Sequence, residues 1–134
     1  EFCNRAKTRK INPSLVKQDV KSIVSKFCKP VRSEKGLTLA LEKLKKVEEN
    51  APFMFANNSG QLEEAVEANA MLLLARLIVN SALTRKESRG SHFRVDYPQS
   101  DNGNWLKNIV IAQETGKPKI RYKAIYNNSL QKHI

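Results

Sequence analysis

Between Leu62 and Leu83 the chain carries apolar residues on more than one face of a helix, and this stretch limits the possible folds more than any other. Leu62, Val66, Leu73, Leu77 and Leu83 recur at helical spacing, and Met71, Leu72, Leu74, Ile78 and Val79 widen the stripe. A helix that is apolar nearly all round belongs at the centre of a bundle. Asn57-Asn58-Ser59 opens it, with Gln61 three residues after Asn58 in the manner of a capping box. Glu63, Glu64 and Glu67 follow in the first turns, where the helix dipole favours negative charge. Arg85, Lys86 and Arg89 put cations at the far end, so the helix is expected to run from Ser59 to Arg89, roughly 45 Å at about 1.5 Å per residue. Gly90 then takes a left-handed C-cap conformation that costs a glycine little.

A central helix needs partners, and two shorter amphipathic ones precede it. Asn12-Pro13 reads as an N-cap with proline at the first helical position, followed by Val16, Val20, Ile23, Val24 and Phe27, and Pro30 ends the helix. Ser33 caps a second helix through Leu37, Ala40, Leu41, Leu44 and Val47, with Lys43, Lys45 and Lys46 outside, stopping near Asn50 ahead of Pro52. After the loop, Ile109-Val110-Ile111-Ala112 and Ile120 to Ile125 flank the turn-rich Glu114-Thr115-Gly116-Lys117, which predicts a β-hairpin. The expected fold is therefore mainly α: an antiparallel three-helix bundle of spectrin-repeat type with a long central third helix, then a loop and a hairpin. Residues 1–11 read as a basic tail or an experimentally chosen end, 12–126 as one folded domain and 127–134 as a loose tail. Starting at Glu1-Phe2 without methionine, the chain reads as a cut from a longer one.

The net charge of +11 invites a polyanionic partner, but its distribution argues against one. Residues 1–50 carry 13 basic and 6 acidic groups, 51–84 carry 1 and 3, and 85–134 carry 10 and 4. The excess is spread over both ends, and no aromatic-studded basic face is present, so a nucleic-acid-binding helical module ranks well below a protein-packing one. No stretch is read as long and apolar enough to span a bilayer, and direct membrane insertion is not expected. Cys3 and Cys28 are far apart and form neither a zinc pattern nor a disulfide framework, as expected for free thiols in an intracellular protein.

Charge, helix breakers and aromatics are densest between Arg85 and Trp105. His92 is the one plausible acid–base group, with Asp96 as its orienting partner, although a single loop histidine is more often structural. Ser88 and Ser91 lack a nucleophile elbow, and neither a dinucleotide-binding glycine motif nor a Walker loop occurs, so no catalytic, cofactor-binding or metal-ligating residue is assigned. The guanidinium groups of Arg85, Arg89 and Arg94 suit carboxylates or carbonyls, whether across an interface or on Glu87, Asp96 and Asp101 of the same loop. Tyr97 and Trp105 read as anchors that pin the loop to the core.

The run Arg85-Lys86-Glu87-Ser88-Arg89-Gly90-Ser91-His92-Phe93-Arg94-Val95-Asp96-Tyr97-Pro98, with Asp101 and Asn104-Trp105-Leu106-Lys107, closely resembles the C-terminal part of the succinate dehydrogenase and fumarate reductase flavoproteins. L-aspartate oxidase belongs to the same superfamily. Val31 to Leu37, Asn57-Asn58-Ser59 with Leu62-Glu63, and Thr115-Gly116-Lys117 with Ile120 to Lys123 extend the likeness over roughly Asn12 to Ile125. Ser91 stands where the family usually has alanine, Val95 where an acid is common, and Asn108 where histidine is common.

The resemblance implies a helical domain that packs against FAD and capping domains of the same chain, with FAD and the dicarboxylate held there and nothing bound here. It implies a parent enzyme that interconverts succinate and fumarate and passes electrons to an iron–sulfur subunit, in the cytoplasm or on the inner face of the membrane; the alternative parent is L-aspartate oxidase. The expected interdomain contacts are Arg85, Glu87, Ser88, Arg89, His92, Arg94 and Asp96.

Overall fold

The computed structural model describes residues 10–125. The expectations for the basic run Arg5, Lys7 and Arg9, for Cys3, and for the tail after Tyr126 with His133 lie outside the described residues.

Three helices form the body: α1 (Pro13–Phe27), α2 (Glu34–Asn50) and α3 (Ser59–Thr84). Each starts where a short polar side chain accepts from one of its free N–H groups. Asn12 accepts from the Ser14 amide, Ser33 from Gly36 and Asn58 from Gln61. The Gln61 side chain reaches back to accept from the Asn57 amide, completing a reciprocal cap one residue earlier than the usual box. A 3₁₀ turn, Ala51–Phe53, absorbs Pro52 between α2 and α3. Ile11 crosses this turn, donating to the Phe53 carbonyl and accepting from Phe55, so the two connections at that end of the bundle are tied together.

The core draws Val16, Val20 and Ile23 from α1, Leu37, Ala40, Leu44 and Val47 from α2, and Ala68, Leu72, Ala75, Val79 and Ala82 from α3. On α3 the buried positions advance by four, three, four and three residues, a narrow seam in which three alanines let both neighbours approach closely. The helix is thus central along one stripe only. Leu62, Val66, Leu73, Leu74 and Ile78, expected to be enclosed, are exposed on its other flank.

Two expectations for α3 need correction. It ends at Thr84, not Arg89, and Arg85, Lys86 and Arg89 lie beyond its last turn instead of within it. By length and composition α3 is also apolar enough to cross a bilayer, with a mean hydropathy of 1.4 over its most apolar window. It passes that test because a core-facing seam and an exposed apolar flank coincide on one helix.

After the loop, a four-residue helix α4 (Asn102–Trp105) leads into the expected hairpin. The two-residue strands β1 (Val31–Arg32) and β2 (Phe93–Arg94) pair in parallel, and β3 (Lys107–Glu114) pairs antiparallel with β4 (Lys117–Ala124). The β3–β4 turn has positive φ at both Thr115 (48°) and Gly116 (80°), the backbone of a tight two-residue hairpin turn. Opposed residues share a face, so the register separates Ile109, Ile111, Ile120 and Tyr122 from Lys117, Lys119, Arg121 and Lys123.

Candidate functional site

The loop between α3 and the hairpin has an interior of charge. Glu87 and Arg94 are completely buried, and Ser88 nearly so. Burying a charge is costly unless every polar atom finds a partner, and here they do.

Arg94 completes the C-terminus of α3. A helix leaves its last carbonyls without intrahelical donors, and the Arg94 guanidinium supplies them through Nη1: 2.9 Å to Ala82, 3.1 Å to Leu83 and 3.2 Å to Arg85. Its Nε and Nη2 form a two-pronged pair with Asp96 at 2.9 and 2.5 Å, and Glu34 at the start of α2 lies 3.6 Å away. One side chain therefore joins the end of α3, the loop and the start of α2. Strand pairing places it there, since Phe93 donates to the Pro30 carbonyl and Val95 to Arg32, across the α1–α2 connection.

Glu87 organises the other half of the loop. Its carboxylate accepts from Arg85 (2.5 Å), from Arg89 through two contacts of 3.0 Å, and from the Asp101 amide (2.8 Å). The Arg89 hydrogen bonds, then those from Asp101 and Arg85, outweigh burial and lower its pKa to about 2. Ser88 Oγ accepts from the Arg94 amide at 2.9 Å and donates to the Tyr97 carbonyl at 2.7 Å, joining the two halves. Asp96 is likewise held below the usual carboxylate range, chiefly by Arg94.

His92 does not meet Asp96, the partner expected for it. Its Nδ1 receives a hydrogen bond from Arg32 Nη1 at 2.6 Å, and its Nε2 faces the Arg85 carbonyl at 3.3 Å. A guanidinium can only donate, so Nδ1 is the acceptor and the ring is neutral with its proton on Nε2. Burial, and then the surrounding arginines, push the His92 pKa down despite the Arg85 carbonyl. Asp96 is unavailable because Arg94 engages both of its oxygens. Gly90, expected to cap α3, has φ 56° in a separate tight turn closed by two hydrogen bonds between Arg89 and His92.

Trp105 and Tyr97, the expected loop anchors, are half-buried and carry cations against their rings. Arg85 and Lys107 lie 5.2 and 5.0 Å from the centre of the Trp105 ring, and Trp105 meets Tyr122 of β4 edge-on at 6.0 Å. Arg94 lies 5.1 Å from the Tyr97 ring. The seven residues expected as interdomain contacts lie together and bond to one another: Arg85, Glu87, Ser88, Arg89, Arg94 and Asp96 form the network, and His92 joins it through the Arg85 carbonyl. Arg32 is the participant that sequence reasoning missed. It lies 60 residues from His92, and nothing in local periodicity signals the contact.

This arrangement defines a class of protein: a three-helix module whose central helix is closed by a charged loop and flanked by a hairpin. The chain belongs to the fumarate reductase flavoprotein C-terminal family, whose model matches residues 17–133. It is 36% identical over 94 residues to an uncharacterised FAD-dependent oxidoreductase of Methanocaldococcus jannaschii, covering 70% of this chain and 17% of that protein. It is 28% identical over 118 residues to the fumarate reductase flavoprotein subunit of Haemophilus influenzae, covering 84% and 20% respectively. Among solved structures, the quinol fumarate reductase of E. coli has the same fold, with a TM-score of 0.83 and 22% identity over 90% of this chain and 22% of that one. The chain thus spans about a fifth of the length of these proteins.

Proposed function

We propose that this chain is the C-terminal helical domain of a FAD-dependent enzyme that interconverts succinate and fumarate, and that it packs against the flavin-bearing part of that longer protein. The observation that carries this reading is the family match over residues 17–133, which includes the whole folded loop. The described residues do not fit a FAD site. At the N-termini of α1, α2, α3 and α4 the side chains of Asn12, Ser33, Asn58 and Asp101 already occupy a backbone N–H, so none is the uncapped, glycine-lined end that a pyrophosphate favours. The hydride exchange between flavin and dicarboxylate is therefore assigned to the remainder of the longer protein.

This domain's part is positional. Arg89 and Asp96, at the surface of the loop, are the groups that would reach the flavin-bearing part directly, with Arg85 and His92 beside them. Glu87, Ser88 and Arg94, buried behind them, hold those groups in place. The word subunit in the name of the Haemophilus influenzae relative supports an assembly with an electron-transferring partner, for which an iron–sulfur subunit at the inner face of the membrane is the proposal.

Anaerobic titration of the full-length protein, first with succinate and then with L-aspartate, tests the reading through flavin absorbance. Bleaching by succinate is expected. Bleaching by aspartate alone would move the assignment to L-aspartate oxidase, and a protein without flavin would overturn it.

A further inference from the structure

The exposed flank of α3 is one wall of a groove, and the hairpin is the other. Three adjoining cavities of about 510, 280 and 380 Å³ run between them and share Leu77 and Ile111. Leu73, Leu74, Leu77 and Ile78 form the helix side, and Ile109 and Ile111 much of the hairpin side. Leu74 is 57% exposed and Ile78 41%. One end of the groove is polar, where Arg32, His92 and Arg85 line the largest cavity.

That end is short of negative charge. Arg32 donates to the Lys29 and Cys28 carbonyls and to neutral His92, and it meets no carboxylate among the described residues. Arg85 has Glu87, but Glu87 also serves Arg89, so the end of the groove keeps a cationic excess. An apolar trough ending in an uncompensated guanidinium matches a segment of apolar side chains carrying one carboxylate.

We infer that the groove between α3 and the hairpin is the seat for such a segment, an apolar stretch with an Asp or Glu at the Arg32 end, supplied by the remainder of the longer protein. The inference rests on the reading of this chain as one domain of that protein. This chain accounts for 17% and 20% of the two relatives' lengths, so a longer protein of that kind has ample sequence to provide the segment. A second copy is the poorer occupant, because at a net charge of +11 it brings further cations to an end that already has too many.

A photo-cross-linking amino acid placed at Leu74 in the full-length protein tests this, with Leu15 on α1 as an exposed control and Ile78 as a second position should the first variant fold poorly. The expected result is a cross-link within one polypeptide to an apolar, carboxylate-bearing peptide outside residues 1–134. Arg32→Glu should lower its yield roughly tenfold, as expected when a desolvated charge pair is reversed. The inference is overturned by a yield no higher than at Leu15, or by cross-links to a second copy, to another protein or to residues 1–9 or 126–134. An unchanged yield in Arg32→Glu removes the carboxylate. Flavin bleached by succinate with the wrong cross-link sinks only this inference, whereas the expected cross-link in a flavin-free protein sinks only the enzyme assignment.

Discussion

The bundle core and the loop interior are both sealed from water, but they are built from opposite materials. In the core, Leu37, Leu44, Val79 and their neighbours exclude water through apolar area, and several residues share each task. Under the loop, Glu87 and Arg94 are buried as ions, and each serves several partners that have no substitute. Apolar packing degrades gradually when one residue changes, because neighbours relax around the gap. A buried ionic network fails as a unit, because losing one member leaves the others charged and unpaired.

Arg94→Ala should show this contrast most strongly. It strips Asp96 and three carbonyls at the end of α3, those of Ala82, Leu83 and the capping Arg85, of their donor, and urea unfolding should register a loss of about 3–5 kcal/mol. Leu44→Ala, in the apolar core, should cost about 2–5 kcal/mol with a gradual response to partial refilling by Met or Ile. If Arg94→Ala proves milder than Leu44→Ala, the loop interior is not the single point of failure described above.

Acid should separate the two regions next. The Glu87 carboxyl is depressed to about 2, so its contribution is complete above the ordinary carboxylate pKa and is lost as pH falls toward 2. His92 is also depressed, which makes the unfolded chain take up its proton first, so stability already begins to fall as pH drops through the ordinary histidine range. Thermal unfolding followed from pH 8 to pH 2 should therefore decline in two steps. Glu87→Gln should shrink the lower step, to which Asp96 also contributes, and His92→Gln should flatten the upper, while Leu44→Ala should shift the whole curve without changing its shape.

The smallest expected effect lies at the other end of α3. Asn58→Ala removes an exposed cap and should cost about 1 kcal/mol, measured in the same urea titration. A loss as large as that from Arg94→Ala would show that the two ends of the helix are equally critical.

The parts of the fold that repeat are the parts the sequence reveals. α1, α2 and the hairpin could be located from periodicity, proline positions and the Thr115-Gly116 turn, because each signal lies within its own element. The C-terminal end of α3 could not. Arg85, Lys86 and Arg89 look like favourable last-turn cations, yet the true cap is Arg94, brought back by a parallel pairing with Val31–Arg32 some 60 residues earlier. The family motif named these residues as a group. It could not say that Asp96 belongs to Arg94 and His92 to Arg32, since opposite charges two residues apart and a donor 60 residues away are equally plausible on paper. The open flank of α3 was hidden for a related reason: apolarity all round a helix does not reveal how many neighbours are present.

The Arg94 cap also has a consequence for synthesis. Because the ribosome delivers the chain from its N-terminus, the last carbonyls of α3 emerge before the residue that will satisfy them. All of the bundle's apolar layers can already be translated while this end is still frayed. A chain released at Gly90 would hold three complete helical sequences but an unsealed α3 end, and would be an early target for proteases.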